Sequence, residues 1–244
     1  MNNRYQRTAL LIGNEALERM AGKRVIIFGV GGVGSWCAES LVRTGIRQMT
    51  LVYADRVAES NINRQLMATT ETVGRPKVEV LRERLLIINP EAEITAIEGI
   101  FTEATAHQFP LDDFDYVIDA IDSLRDKALL IRLACQSRAR LFSSMGAALK
   151  MDPQRIRVAE FWKVTGDPLA RALRNLFKRE GRFPSRKFQC VYSDELLSNR
   201  GTAIDPQAEA NPFHKVQING TVAHITAIFG FTLAALVVED AARP

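Results

Sequence analysis

The chain has 244 residues, enough for one large α/β domain or two small ones. Hydrophobic residues make up 47% and charged residues 25%, which permits a sizeable core and argues against disorder. A formal net charge of +4 permits a nucleic-acid partner without demanding one. Cys37, Cys135 and Cys190 are odd in number, far apart and without a C-x-x-C pair, so neither a disulfide framework nor a zinc site is supported. The opening Met1-Asn2-Asn3-Arg4-Tyr5-Gln6-Arg7 has no apolar run and is no secretory signal, so a reducing cytoplasm is expected.

Residues 24–28 form a short β-rich run that leads straight into Gly29. Residues 35–44 read as a helix and 49–53 as a second strand. Residues 77–88 have helical periodicity, with Leu81, Leu85 and Ile88 on one face, and Asn89-Pro90 stops them. A third strand is expected at 93–97, a fourth at 116–119, a helix at 124–137 and a fifth strand at 141–144. Strands alternating with helices predict a Rossmann-like, doubly wound, mostly parallel sheet with right-handed crossovers. After about residue 151 the pattern breaks. Asp152-Pro153 is a turn, 155–160 a strand, 167–180 a helix and 187–192 another strand. Residues 194–216 hold Gly201, Pro206 and Pro212 with little periodicity, and a loop that long is functional or mobile as a rule. Residues 220–238 are nearly continuously apolar, close to the spanning length of about 20. Thr221, His224, Thr226, Gly230 and Thr232 within the run, and Glu239-Asp240 at its end, favour a buried or subunit-interface helix over a membrane-associated one. No stable membrane insertion is expected.

Gly29-Val30-Gly31-Gly32-Val33-Gly34 fits G-x-G-x-x-G between a strand and a helix. Its glycines allow a tight turn and bring backbone N–H groups to phosphate oxygens at a helix N-terminus. The default owner is a nicotinamide or flavin enzyme with an acid at the end of the second strand. Here that place holds Tyr53, with Asp55 two residues later, which weakens the dinucleotide reading. Arg64 follows Asn61 and Asn63 in a segment too polar for core, and Lys77 opens a helix just after Pro76. Singly, each reads as an ordinary surface cation. Asp119 and Asp122 lie at and just beyond the end of a buried strand, where ligands of open α/β sheets bind. Asp122 could instead cap the helix that starts near Ser123. Together, two cations and a carboxylate suit the breaking of a triphosphate with a metal ion bridging its oxygens, whereas a hydride carrier needs none of them.

Over nearly its whole length the sequence resembles the ThiF/MoeB-type adenylating superfamily, related to ubiquitin-activating enzymes. The resemblance rests on Arg7-Thr8-Ala9-Leu10-Leu11-Ile12-Gly13, the glycine loop with Ser35, Ser60-Asn61-Ile62-Asn63-Arg64-Gln65, Val117 to Ser123, Ser144-Met145-Gly146-Ala147-Ala148, Met151-Asp152-Pro153 and Cys190-Val191-Tyr192-Ser193. Within that superfamily it looks closest to the tRNA threonylcarbamoyladenosine dehydratase branch. The resemblance implies ATP-dependent adenylation of a carboxylate, with ATP and Mg2+ as cofactors. In the branch, the acid is the threonyl carboxylate of N6-threonylcarbamoyladenosine beside the tRNA anticodon, and ring closure then expels AMP. Arg64 and Lys77 match the arginine and lysine that contact the triphosphate, and Asp122 the aspartate that holds magnesium. Arg7 matches an arginine that reaches the neighbouring subunit's ATP, which implies a homodimer. The expected nucleotide-binding set is Gly29, Gly31, Gly32, Gly34, Tyr53, Asp55, Asn61, Asn63 and Ser123.

Relatives carry an acid for the ATP ribose where Tyr53 stands, so weak ATP binding is expected, with Asp55 on the same strand face substituting in part. Cys190 falls where sulfur-transferring relatives keep a cysteine, and reads as structural. Arg171, Arg174, Lys178, Arg179, Arg182, Arg186 and Lys187 face Glu180 alone, with Phe177 and Phe183 interleaved, which suits an RNA stem-loop. The expected organisation is a nucleotide-binding half, 1–150, and a substrate- and tRNA-facing half, 151–244, integrated into one domain. Three other readings compete: an adenylating enzyme with a ubiquitin-like sulfur-carrier protein as partner, a nucleotide-binding relative with impaired activity, and a nicotinamide dehydrogenase.

Overall fold

In the computed structural model, residues 3–201 and 219–243 are described, so most of the loop expected at 194–216 lies outside them. The remainder of that loop, 194–201, carries neither helix nor strand. Strand β1 (Arg24–Phe28) is buried at every position but the first, as an apolar run covered on both sides must be. On one flank it pairs with β2 (Gln48–Val52), which pairs with β3 (Glu93–Ile97). On the other it pairs with β4 (Tyr116–Asp119), followed by β5 (Arg140–Ser144). All five are parallel. Strand β7 (Gln189–Ser193) continues the parallel sheet beside β5, and β6 (Ile156–Glu160) closes the edge antiparallel to β7. The order among the described residues is β3-β2-β1-β4-β5-β7-β6, the doubly wound α/β fold that the alternating pattern predicts.

Side chains of β1 alternate between two cores. Val25 and Ile27 join the cluster built with α3 (Gly34–Thr44), α4 (Lys77–Ile88) and α7 (Ala223–Ala242). Ile26 and Phe28 join the other, built with α5 (Leu124–Gln136) and α6 (Pro168–Glu180). Strand β1 lies between β2 and β4, so successive connections leave it in opposite directions. The crevice beyond the carboxyl ends of these strands is therefore the expected ligand site of such a sheet.

Helix α7 explains the apolar C-terminal run. It is long and apolar enough to cross a membrane by length and composition, yet half of that stretch is buried within the protein, packed on α3. Gly230 lets the two helices touch: a Cβ there would sit 2.5 Å from the Val33 carbonyl oxygen. Two N-terminal helices, α1 (Gln6–Ile12) and α2 (Asn14–Ala21), were not legible as such in the sequence. Helix α1 buries none of its side chains and leaves Leu10 80% and Leu11 85% exposed.

Candidate active site

Beyond the ends of β1 and β4 lies a cleft of about 380 Å³ lined by Gly31, Gly32, Tyr53, Asp55, Asn61 and Arg64, among others, with Gln65, Lys77 and Asp122 also facing it. The four motif glycines divide the work. Gly29 has φ +89° and a Cβ there would lie 2.5 Å from the Ala120 carbonyl oxygen, so it lets β1 and the end of β4 meet. A Cβ on Gly34 would collide with the Gly29 carbonyl oxygen, so that glycine seats the helix on the strand. A Cβ on Gly31 would come no nearer than 3.8 Å to any group, which leaves its backbone open to a ligand. Gly32 faces Thr226 of α7, which thereby forms one wall. The Gln65 side chain is buried against the cleft, and its Oε1 has no hydrogen-bond partner in the protein. An unpartnered acceptor beside an open glycine backbone fits a polar ligand such as a nucleotide.

Lys77 is not the surface cation it resembles in the sequence. Its side chain is only 3% exposed; Nζ donates to Asp55 Oδ2 at 3.0 Å and sits 4.9 Å from the centre of the Tyr53 ring. An ammonium taken out of water costs several kcal/mol unless paired, and these two groups supply the pairing. Strand β2 ends at Val52, and the Tyr53 N–H still donates to the Ile97 carbonyl oxygen at 3.2 Å, so Asp55 follows just beyond the ladder. Both side chains converge on Lys77. Burial, reinforced by the carboxylates of Asp55 and Asp122, pushes the Tyr53 phenol far above its ordinary range. Tyr53 is therefore a neutral hydroxyl at pH 7. Arg64 is half-buried, its guanidinium donating to the Ser60 carbonyl oxygen at 2.8 Å and to Asn63 Oδ1 at 2.9 Å. Its own carbonyl accepts from Trp36 Nε1 and Thr226 Oγ1, which ties the Arg64 loop to α3 and α7. Asn61 accepts the Ala58 N–H and shapes the turn before Arg64.

The two aspartates at the end of β4 separate sharply. Asp119 is fully buried, paired with Lys127 Nζ at 2.8 Å and accepting from Ser143 Oγ at 2.6 Å. Lys127, equally buried, also donates to the Ile121 carbonyl oxygen at 3.0 Å. This internal pair fixes the backbone that carries Asp122, and no spacing in the sequence marks Lys127 for the role. Asp122 is exposed at the cleft edge and does not cap α5. The cap position belongs to Ser123, whose hydroxyl donates to Asp126 at 2.7 Å. A second cavity of about 330 Å³ lies on the far side of Tyr53, lined by Phe28, Val52, Ile100, Phe101, Ser123 and Asp126, with Tyr53, Asp55 and Asp122 shared between the two.

The second half supplies the opposite rim: Ser144 to Ala148, Leu169, Asn219 and Thr221. Asp167 caps α6 by accepting the Ala170 N–H and also accepts the Gly146 N–H at 3.2 Å, so one buried carboxylate holds both helix and rim. Leu149 is left-handed at φ +59°, held there because its N–H donates to the Gly220 carbonyl and its carbonyl accepts from Leu197. Buried Lys150 donates to the carbonyl oxygens of Ser193 and Glu195, joining the strand end after β7 to the same rim. Arg7 and Asn63, both expected at the site, line neither cavity, and Cys190, read as structural, is core. Arg7, on α1, is exposed. Asn63 points its amide at the Thr221 carbonyl, at 3.1 Å. Cys190 is fully buried in β7, and burial pushes its thiol well above the ordinary range, so it is no thiolate nucleophile.

No cluster of three or more His, Cys, Asp or Glu that could hold a metal exists among the described residues. Among the described residues that line the cleft, Asp122 presents a carboxylate without an ion-pair partner, a donor that fits Mg2+, which is bound by one or two carboxylates plus phosphate oxygens and water. The ThiF family pattern matches residues 5–239. The tRNA threonylcarbamoyladenosine dehydratase of Bacillus subtilis (strain 168) is 42% identical over 195 residues, covering 80% of this chain and 76% of the relative. That of Escherichia coli (strain K12) is 38% identical over 239 residues, covering 93% and 89%. The E. coli enzyme TcdA, solved in complex with ATP, superposes with a TM-score of 0.85 at 35% identity over 98% of this chain and 93% of that one. Glycine cradle, Arg64, Lys77 and Asp122 all lie within the matched span, and the chain belongs to the ThiF family.

Proposed function

We propose that this protein is an ATP-dependent tRNA threonylcarbamoyladenosine dehydratase. The observation that carries the reading is the continuity of the cleft: the glycine backbone, Lys77, Arg64 and Asp122 face the Gly146 to Ala148 rim across one open space. A triphosphate and a substrate carboxylate can therefore meet there. The apolar cavity beyond Tyr53, walled by Phe28 and Phe101, suits an adenine ring, with Gly31 and Gly32 beside the phosphates.

A threonyl carboxylate oxygen attacks the α-phosphorus, and the bond to the bridging oxygen breaks, so pyrophosphate leaves. Arg64 and Lys77 stabilise the negative charge that shifts onto it, Lys77 exchanging the Asp55 carboxylate for phosphate oxygen. Asp122 would hold Mg2+, which would supply further positive charge against the triphosphate. A nucleophile of the same modified base then attacks the acyl carbon, and AMP departs with the carboxylate oxygen. Because the nucleophile is intramolecular, positioning supplies most of what this step needs. No cysteine takes part, in accord with the burial of Cys190. The reading places the enzyme in the cytoplasm with its tRNA, as a homodimer in which exposed Arg7 reaches the partner's triphosphate.

The test is incubation with ATP, Mg2+ and tRNA carrying the threonylcarbamoyl base. AMP, pyrophosphate and cyclised base are expected in equal amounts. Adenylation of a small protein's Gly-Gly terminus, with tRNA untouched, would mark a sulfur-carrier enzyme instead. For the dimer, mixing Arg7→Ala with Asp122→Asn protein restores activity through one intact site per heterodimer; exchange of subunits without recovery contradicts the role in trans.

A further inference from the structure

Beside the cleft, the 3-10 turn before α6 (Phe161–Lys163) and the loop after α6 carry an aromatic pair that the active site does not use. Trp162 is 39% exposed and Phe183 51% exposed, with ring centroids 6.2 Å apart. Both belong to a layer whose inner members are core: Trp162 meets Phe161 edge-on at 5.1 Å, and Phe161 packs on Phe177 and Phe188. Phe177, interleaved with cations in the sequence, is thus core, whereas Trp162, outside the basic window, is the ring that reaches solvent.

The surroundings are cationic and uncompensated. Among the described residues, Arg171, Arg174, Lys178, Arg179, Arg182, Arg186 and Lys187 enter no ion pair. The Arg174 guanidinium lies over Phe161 at 5.8 Å, which brings the helix's basic stripe to the aromatic layer. The acids nearby are occupied: Glu180 by Arg132 at 2.7 Å and Glu160 by the Trp162 N–H at 3.2 Å. The N-terminal end of α6 touches the cleft through Leu169 and Asp167. The stripe therefore leads from the reaction site to the exposed rings within one helix length, about 20 Å.

An exposed apolar pair inside a field of unpaired cations fits a polyanion that also offers flat apolar faces. We infer that Trp162 and Phe183 form a stacking platform for an unpaired base of the RNA whose modified nucleotide occupies the cleft. The cations track its phosphates, and the rings hold a flanking base that has left its stack. This rests on the tRNA reading above and adds a contact that discriminates a loop from a duplex, which charge alone does not.

The test uses the full chain and a synthetic anticodon stem-loop RNA, with a fully paired RNA of the same length as control. Trp162→Ala combined with Phe183→Ala is expected to weaken stem-loop binding roughly 5- to 150-fold. The slope of log affinity against log salt stays as in the wild type, since no phosphate contact is lost. Duplex binding and ATP binding do not change, the latter reporting an intact fold. The stem-loop quenches tryptophan emission of the wild type, the quenching disappears in Trp162→Phe, and that conservative variant keeps most of the affinity. Equal stem-loop affinity of the double variant and the wild type overturns the platform, as does a loss shared by duplex RNA with a flatter slope. A change in oligomeric state with RNA binding intact would make the pair a protein contact and overturn it likewise. Wild-type protein that neither binds the stem-loop nor cyclises its base overturns the functional reading as well; wild-type protein that does both, beside an unaffected double variant, overturns the platform alone.

Discussion

In the cleft, Lys77 lies 3.0 Å from Asp55 and is almost wholly buried, and Arg64 is folded onto Ser60 and Asn63. On α6 and just past its end, Arg171, Lys178, Arg179 and Arg182 stand exposed, and no acid of the described residues meets them. Both regions are cationic, but the first holds each charge in a fixed direction and the second leaves its charges in water. Fixed, partly desolvated cations act strongly at short range on charge that moves during a reaction. Solvated cations act weakly and collectively on a polyanion, and salt screens them. On the proposed reading, chemistry belongs to the cleft and recruitment to the α6 region, and the two can be broken separately.

The largest expected effect lies beneath the cleft. Lys127→Met leaves Asp119 buried without its partner and should cost about 3–5 kcal/mol of stability, read from denaturant midpoints. A loss under 1 kcal/mol would mean the pair is not what holds the Asp122 segment. Next come the cleft groups themselves. Asp122→Asn, and Lys77→Met with its stem volume kept, should each lower pyrophosphate exchange about 10²–10³-fold. RNA affinity and its salt dependence should remain unchanged. Full exchange activity in either variant would take the chemistry out of the cleft.

The Tyr53 position sharpens the comparison within the cleft. A neutral phenol cannot offer the two charged acceptor oxygens of a carboxylate, and Asp55 is engaged with Lys77. A charge-assisted hydrogen bond is worth about 1.5–3 kcal/mol, so Tyr53→Asp should tighten ATP by roughly tenfold or more in calorimetry. A triphosphate lacking ribose should gain nothing. Weaker ATP binding in the variant would show that the phenol serves the nucleotide in its own way. The smallest expected effect belongs to α6. Neutralising Arg174, Lys178 and Arg182 should flatten the salt slope of tRNA binding by roughly one unit per lost phosphate contact. Pyrophosphate exchange driven by saturating tRNA should hardly change. An unchanged slope would place the RNA on another face.

Much of this arrangement is legible in the chain because it is local. The run at 24–28, the glycine loop behind it and the helix opening at Lys77 all obey periodicity and turn chemistry, and the structure places them so. What is not legible comes from groups that meet across long separations. Lys77 is buried only because Asp55 and the Tyr53 ring, more than twenty residues earlier, close around it. Asp119 and Asp122 look equivalent in sequence. Lys127 from the next helix and Ser143 from the next strand reach one and not the other. Gly230 counts in the sequence only against a membrane helix, and its close contact with Val33 is visible only in the fold. Phe177, interleaved with cations in the sequence, is buried for the same reason, since which rings face solvent depends on how α6 packs on α5 and the core beneath it.

The central claim is that this cleft transfers an adenylyl group to a carboxylate and that AMP leaves in ring closure. It is tested most directly by labelling the threonyl carboxylate of the tRNA base with 18O and analysing the products by mass spectrometry. One carboxylate oxygen should appear in the phosphate of AMP, with unlabelled pyrophosphate and a cyclised base that has lost that oxygen. Label-free AMP beside cyclised base, or ADP with labelled inorganic phosphate, would contradict the account.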